Sequence, residues 1–586
     1  MRWFIALIFC GLVARLYYLQ IDQGAAFRQE AVLNRERRIP ERPARGSIVD
    51  SEGDIIATTR PRFAVYVAPR IAKDPATLKR LATLLSSTSQ DILDIIQETQ
   101  HNQYDPLRIA PDVPLKTVTQ IGEDQQDFPG VSTEPEPVRW YPDATLAAHL
   151  LGSMGRIDPK EYQDLRSDGY FSDDFIGKTG VERQYEQYLH GTPGGTDLQI
   201  DARGRELSVT GESQPVAGDT VVLAMNRRVQ LAAERTLAEH HFIGATVAIN
   251  PQTGAVIAMA SSPSYDPNIF ATGVSKANWQ PLNTDSSKPM INRTLEAMYP
   301  PGSTFKPIVA AAGLQTGAIS THSTAYCPGY YMLGRARFGC WQRHGEVDFY
   351  SAMAKSCDTF FYIAGQKIGP NNIAIYAKDF GLQEKTGIDL PGEDLGTIPN
   401  PSWKYKHFKR FGSDFDQWFG GDTLHMAIGQ GDVLVTPLQM ARVTATLANG
   451  GDVLTPFVVD RVIDPLTNAV VFQNQRKLER HVAVSDQNME EVRRAMRQTV
   501  TSGTGRSVDF PQVAVAAKTG SAQTHGSNLT HGWFICFAPY DHPTIAIAGV
   551  VEHGGHGASS AGLVAKAMLQ AYFKLPQTRT GSSRSD

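Results

Sequence analysis

Neither positive nor negative charge is in marked excess in this 586-residue chain: 56 Lys and Arg stand against 60 Asp and Glu, a formal net charge of -4. Such a balance excludes general attraction to nucleic acid. Cysteine is scarce, at five residues, so each one can be accounted for singly. Solenoid-type repeats are absent, and no long linker precedes the change of character at Asn226. Long apolar runs are absent too, apart from WFIALIFCGLVARLYYLQI between Trp3 and Ile21. That run is long enough to cross a bilayer as a helix. Arg2 on its short side favours a cytoplasmic N-terminus, and Arg15 can snorkel beside Tyr17 and Tyr18. No small-x-small cleavage site follows, so a retained single span is expected rather than a removed signal peptide.

What is present is the composition of a folded protein, 41% hydrophobic and 20% charged, and long enough for several domain-sized units. We expect a membrane anchor over 1–21, an elongated non-catalytic stalk over 22–225, a catalytic domain over 226–574 and a disordered tail over 575–586. Within the stalk, Leu78, Leu81, Leu84 and Leu85 recur at helical spacing between Pro75 and Glu98, and Phe63 to Val67 reads as a strand. At Asn226 an amphipathic helix begins. It leads into two strands joined by a turn at Asn250 to Gly254.

The sharpest chemical signal is Ser303-Thr304-Phe305-Lys306, followed by Pro307 and the apolar run Ile308 to Leu314. Proline is tolerated only in the first turn of a helix, so Ser303 and Lys306 are expected one turn apart at a helix start, within hydrogen-bonding reach. A serine hydroxyl needs a base to become a nucleophile, and a lysine serves when burial and a nearby cation favour its neutral form. Alone, S-x-x-K is a weak motif. Ser356-Cys357-Asp358 and Lys518-Thr519-Gly520 follow it in order and at domain-scale gaps, completing a set in which three short motifs build one acyl-transfer site. A second Lys-Thr-Gly, Lys178 to Gly180, precedes the serine and so breaks that order. It is not a phosphate loop either, because Ser172 stands where the first glycine is required.

Three of the five cysteines, Cys327, Cys340 and Cys357, fall with His344 in a C-x12-C-x3-H-x12-C pattern. Three thiolates and an imidazole would complete a closed tetrahedral zinc site. The competing reading is a Cys327–Cys340 disulfide, which an oxidising compartment favours. Cys10 lies in the anchor, and Cys536, in GWFICFAP, is expected to be a small buried core residue.

These motifs resemble those of the class B penicillin-binding proteins, and specifically the elongation type known as penicillin-binding protein 2. ERPARGSIVDSEGDIIA, VRWYPDATLAAHLLGSMGRI and GVERQYEQYLHGTPGG are similar to the family's stalk motifs. YPPGSTFKP, SCDTFFY, GDTLHMAIGQGDVLVTPLQMA and KTGSAQ are similar to those of its catalytic domain. The resemblance implies an α+β multidomain fold: a transmembrane helix, an elongated α+β pedestal and a transpeptidase domain with a central antiparallel sheet flanked by helices. It implies a peptidoglycan D,D-transpeptidase that cross-links stem peptides during elongation and is stalled by β-lactams. Ser303 would be the nucleophile, Lys306 the base, Ser356 a proton relay and Lys518 the anchor for the substrate carboxylate. Asp358, Thr519, Gly520 and Ser521 would line the substrate, with backbone N–H groups of Ser303 and Ser521 as oxyanion donors. Asp358 departs from the asparagine usual in the wider family, and an ionised carboxylate only accepts hydrogen bonds. That departure argues for the elongation type over a septal transpeptidase. Zinc at the Cys/His cluster occurs in some members. Expected partners are a SEDS-type glycan polymerase (RodA), MreC and the bacterial inner membrane, with the catalytic domain periplasmic. A β-lactam sensor would need a signalling domain ahead of the anchor, an idle scaffold would not need three intact motifs, and a β-lactamase would not need the anchor and stalk.

Overall fold

The computed structural model describes residues 2–23, 36–98, 106–200, 206–524 and 529–576. Most of the expected tail, 577–586, lies outside them. The apolar run forms the helix Arg2–Tyr17 and a following π-helical turn, Tyr18–Asp22, with no residue buried, which is long and apolar enough to cross a membrane.

The stalk is mixed α and β. Its long strand Ile55–Val67 pairs antiparallel with Val131–Trp140 along nearly its whole length and with Leu107–Val113 near its end. The helical stretch expected from Pro75 to Glu98 is two helices, Pro75–Leu84 and Ser89–Glu98, because Ser86 turns into the left-handed region between them. Asp74 caps the first by accepting from the N–H groups of Ala76 and Thr77. Behind this sheet, Arg45, Arg139 and the fully buried Glu182 form an ion-paired knot, with Arg139 Nε 2.6 Å from Glu182. Removing one partner of such a knot strands a buried charge and costs roughly 3–5 kcal/mol.

Stalk and catalytic regions are not separate sheets. Thr220–Leu223 pairs in parallel with Ile48–Val49 of the stalk and antiparallel with Val459–Ile463 from the far end of the chain. The backbone ladder therefore runs through the junction at which the amphipathic helix Arg227–Glu239 begins, capped by Asn226.

The second part of the chain is built on a five-stranded, wholly antiparallel sheet in the order Val256–Ser262, Gly244–Ile249, Ile545–Val551, Thr530–Ala538, Ala516–Gln523. Its strands are buried on both faces, so they read as apolar runs rather than alternating ones. Period-two geometry still sorts them. Ala546, Ala548 and Val550 enter the large core under the helices Lys306–Gln315 and Pro437–Ala448, whereas Ile545, Ile547 and Val551 face the layer that contains Val229, Val564 and Met568. Cys536 is a fully buried member of this second layer. The strand carrying the third motif lies at the sheet's edge, where one row of its backbone groups stays free of the ladder.

Candidate active site and metal centre

Gly302 opens the turn that presents Ser303. Its φ is +56°, and a Cβ there would sit 2.8 Å from the Ser521 carbonyl oxygen, so only glycine lets this turn press against the edge strand. The Gly302 N–H donates to the Gly429 carbonyl at 2.9 Å, and Thr304 Oγ1 donates to the Pro301 carbonyl at 2.7 Å. Phe305 is fully buried and pins the turn, and its truncation to alanine would cost roughly 3–5 kcal/mol. The 3-10 turn Gly302–Phe305 then runs into the helix Lys306–Gln315, with Pro307 in the first turn. Ser303 is half-buried, and its hydroxyl makes no hydrogen bond among the described residues. The expected Ser303–Lys306 contact is therefore not formed in this state.

Lys306 is fully buried and reaches across to the second motif instead. Its Nζ donates to Asp358 Oδ1 at 2.7 Å, to the Ser356 carbonyl at 2.9 Å and to Ser356 Oγ at 3.3 Å. The competing acceptors are stronger: a carboxylate and a carbonyl outbid a neutral hydroxyl for an ammonium. Asp358, expected against substrate, is thus engaged with the base candidate while it lines the cleft.

Ser356 owes its position to how the helix Phe349–Ala354 ends. The Ser356 N–H donates to the Met353 carbonyl and the Cys357 N–H to the Ala352 carbonyl, the paired bonds of a Schellman cap. The residue in its left-handed position is normally glycine, yet here it is serine at φ +55°. Such strain marks a side chain needed where it is. Its hydroxyl lies 2.8 Å from Lys518 Nζ and 3.3 Å from Lys306 Nζ, bridging two lysines. Lys518 is also fully buried, and its ammonium is pushed well below the ordinary lysine range, first by burial and then by the charge of Lys306.

Along the edge strand, the Ser521 carbonyl faces away from the neighbouring strand, because it accepts from Gln430 Nε2 at 3.3 Å and crowds Gly302. In a strand, the N–H and C=O of one residue project to the same side, so the Ser521 N–H points toward the Ser303 turn. Thr519 Oγ1 pairs with Thr504 Oγ1 at 2.6 Å. Gly520 leaves room where a Cβ would be 3.0 Å from both Thr304 and Trp533. Ser303, Ser356, Asp358, Thr519, Gly520 and Ser521 all line one cleft of about 800 Å³. Thr504 and Gln430 line it too and were not singled out from the sequence. Gln430 had a signal, lying between Gly429 and Gly431, both at positive φ. Thr504 had none. The other Lys-Thr-Gly lies in the stalk, where Lys178 pairs with Glu161 and the Ser153 N–H donates to Thr179 Oγ1.

Beside the cleft, the donor atoms of Cys327, Cys340, His344 and Cys357 all lie within 4.8 Å of one another. The five cysteines are unpaired, so the disulfide is not formed. His344 Nδ1 lies 3.6 Å from Cys327 Sγ and 3.5 Å from Cys340 Sγ, whereas its Nε2 is buried with no hydrogen-bond partner. Cys340 is held well below the ordinary thiol range, chiefly by the hydrogen bond from Cys357 and also by backbone N–H groups, including that of Asp358. The same bond, with burial, pushes Cys357 up. Tetrahedral zinc with three sulfurs at about 2.3 Å needs ligand atoms about 3.8 Å apart, and the two separations between His344 and the sulfurs lie near that value. The cluster can hold a metal ion.

Comparison with known proteins matches residues 244–571 to the Penicillin binding protein transpeptidase domain and residues 40–223 to the Penicillin-binding Protein dimerisation domain. The peptidoglycan D,D-transpeptidase MrdA of Acinetobacter baumannii is 35% identical over 579 residues, covering 95% of this chain and 84% of its own. A solved complex between PBP2 and MreC from Helicobacter pylori superposes with a TM-score of 0.79 at 27% identity, over 92% of this chain and 99% of that one. A structure described as the coordination of polymerization and crosslinking by a peptidoglycan synthase complex matches with a TM-score of 0.72 at 28% identity, over 99% of each chain.

Proposed function

This chain belongs to the class B penicillin-binding proteins of the elongation type, the peptidoglycan D,D-transpeptidases, and we propose that Ser303 carries its acyl-enzyme. The observation that carries this assignment is the bridge from Lys306 to Lys518 through Ser356, which lines the same cleft as Ser303.

In the first half-reaction, Ser303 Oγ attacks the carbonyl of the penultimate D-Ala of a stem peptide, and its proton passes to Lys306, which must first give up the proton that pairs it with Asp358. Catalytic contacts are often long before substrate binds, so Lys306 turns from Asp358 toward Ser303 as the complex forms. The backbone N–H groups of Ser303 and Ser521 hold the oxyanion, each worth a few kcal/mol of barrier. The C–N bond then breaks, and the departing D-Ala amine takes its proton through Ser356, which lies between the two lysines. Lys518, with Thr519 and Ser521 beside it and Gly520 leaving room, receives the substrate carboxylate, and Thr504 holds Thr519 in place. In the second half-reaction, an amine from a neighbouring stem peptide attacks the ester, its proton leaves by the same relay, and Ser303 is regenerated with the cross-link made. A β-lactam enters the first half and stalls at the ester.

We assign zinc to Cys327, Cys340, His344 and Cys357. Its part is structural: it would clamp the loop that carries Ser356 and Asp358, and no proton or acyl transfer passes through it. Metal content and thiol titration of the purified chain test this assignment. One zinc with no free thiol at the three cysteines supports it, and a metal-free chain with reactive thiols refutes it.

The reading extends to a single-pass inner-membrane protein with anchor 1–21, pedestal 22–225 and periplasmic transpeptidase domain 226–574, partnered by MreC and by a SEDS-type polymerase (RodA). The similarity to the complex with MreC and to the peptidoglycan synthase complex supports those partners. Mass spectrometry after labelled penicillin tests the core of it. The expected result is one adduct on Ser303 that is lost in Ser303→Ala, and an adduct on any other residue would overturn the mechanism.

A further inference from the structure

Beyond the end of the edge strand lies a second cavity, of about 390 Å³, whose wall includes Trp403, His407, Phe408, Asp432, Gln523 and His531. Gln523 also lines the main cleft, so the two spaces meet at that residue. The short helix Pro401–Phe408 buries none of its residues, although it carries the rings of Trp403, Tyr405, His407 and Phe408. Trp403 stacks on His407, with centroids 4.9 Å apart and planes at 11°, and Phe408 meets both rings edge-on. Aromatic residues at helical spacing are ordinarily core; here they form a shelf facing open space. The helix is held there by Lys404, which pairs with Asp422 at 2.6 Å, and by Asn400, which caps it. Asp432 is exposed and carries no hydrogen bond or ion pair among the described residues. Its carboxylate has no counter-charge among the described residues and shares the cavity wall with a stacked indole, a combination that suits an ammonium group.

Geometry says which part of the substrate arrives there, granted the transpeptidase reading above, on which this step rests. With the donor carboxylate at Lys518 and Thr519 and the scissile carbonyl at Ser521, the donor runs antiparallel to the edge strand. Strand residues advance about 3.3–3.4 Å each, so the donor residue preceding D-Ala–D-Ala falls beside Gln523, at the mouth of the second cavity. Cross-linking joins stem peptides of one kind, so a donor stem carries the same side-chain amine that makes its neighbour an acceptor. We propose that this cavity is the donor subsite for that amine-bearing residue, with Asp432 as its counter-charge and Trp403 as the face it lies against.

The test uses the full chain in detergent and two synthetic donors, Nα-acetyl-L-lysyl-D-Ala-D-Ala and its norleucine isostere. D-Ala release is divided by the sites that labelled penicillin titrates, so that misfolded chain is not counted. The lysine donor is expected to have the higher kcat/KM by roughly tenfold, and Asp432→Asn to reduce that preference to about twofold. Trp403→Ala is expected to lower kcat/KM for both donors. Equal kcat/KM for the two donors, a preference unmoved by Asp432→Asn, or no consumption of either donor by chain that penicillin still labels on Ser303 would each overturn the subsite and leave the acyl-enzyme standing. Failure of penicillin to label Ser303 would overturn the catalytic reading and the subsite with it.

Discussion

The tripeptide Lys-Thr-Gly occurs twice in this chain, and its two copies sit in opposite surroundings. Lys178 is partly exposed and neutralised by Glu161, while Thr179 and Gly180 start a short helix in the stalk. Gly180 is there for its φ of +61° and for space, because a Cβ would fall 2.6 Å from the Leu150 carbonyl oxygen. Lys518 is fully buried, has no carboxylate within ion-pair range among the described residues, and shares a serine hydroxyl with a second buried lysine. Gly520 is in extended backbone and is there to let Thr304 and Trp533 close in. Identical side chains thus form an ion-paired peg in one place and a desolvated lysine facing a second lysine in the other. What differs is desolvation and which charges lie nearby.

The largest test of that contrast is substitution at the two lysines. Lys518→Ala is expected to slow Ser303 acylation by labelled penicillin at least about a hundredfold, whereas Lys178→Ala changes it less than about twofold. Comparable losses at both positions would erase the distinction.

Next comes the pH profile. Burial and Lys306 depress the Lys518 ammonium, while the Asp358 carboxylate opposes them by favouring the charged form. If charged Lys518 holds the substrate carboxylate, kcat/KM falls as pH rises through this depressed value, below the ordinary lysine range near 10.4. Asp358→Asn removes the opposing charge, so this alkaline limb should move to lower pH. An unmoved limb would mean that another group titrates.

A smaller effect separates strain from function at Ser356. Ser356→Gly relieves a left-handed serine but removes the hydroxyl that accepts from Lys518, so stability in denaturant unfolding should change by less than about 1 kcal/mol while acylation falls sharply. Gly180→Ala in the stalk should do the reverse, destabilising the chain and leaving acylation per folded molecule intact.

The smallest concerns Glu234, which burial raises to about 7 despite the N–H of Ala147 and the amide of Gln230 that it accepts. A carboxyl whose folded value is raised binds more protons folded than unfolded, so its contribution to stability falls as pH rises from about 4.5 to about 7. Glu234→Gln should therefore raise the melting temperature more at pH 8 than at pH 5, and equal shifts would contradict the assignment.

Much of the fold was legible in the residues. The Asn250 to Gly254 turn between two apolar runs is a hairpin of the central sheet, and Pro307 placed a helix start beside Ser303. The Cys/His spacing foretold a cluster that does converge. Less legible was Asp358, expected against substrate but engaged with Lys306, since its one free side-chain charge is drawn to the nearest buried ammonium. Thr504, Gln430 and the Trp403 shelf escaped notice because their roles follow from which segments become neighbours. The ladder from Ile48–Val49 through Thr220–Leu223 to Val459–Ile463 escaped for the same reason.

By itself the sequence determined the inventory: one span-length apolar run, three short motifs in a workable order, four metal-type ligands, and strand patterns suited to a sheet covered on both faces. Only the tertiary structure decided that Lys306 meets a serine 50 residues away, and that the same serine meets Lys518 across 162 residues. Local spacing sets backbone form, but reactivity depends on burial and on the nearest charges, and both arise only when distant segments pack together.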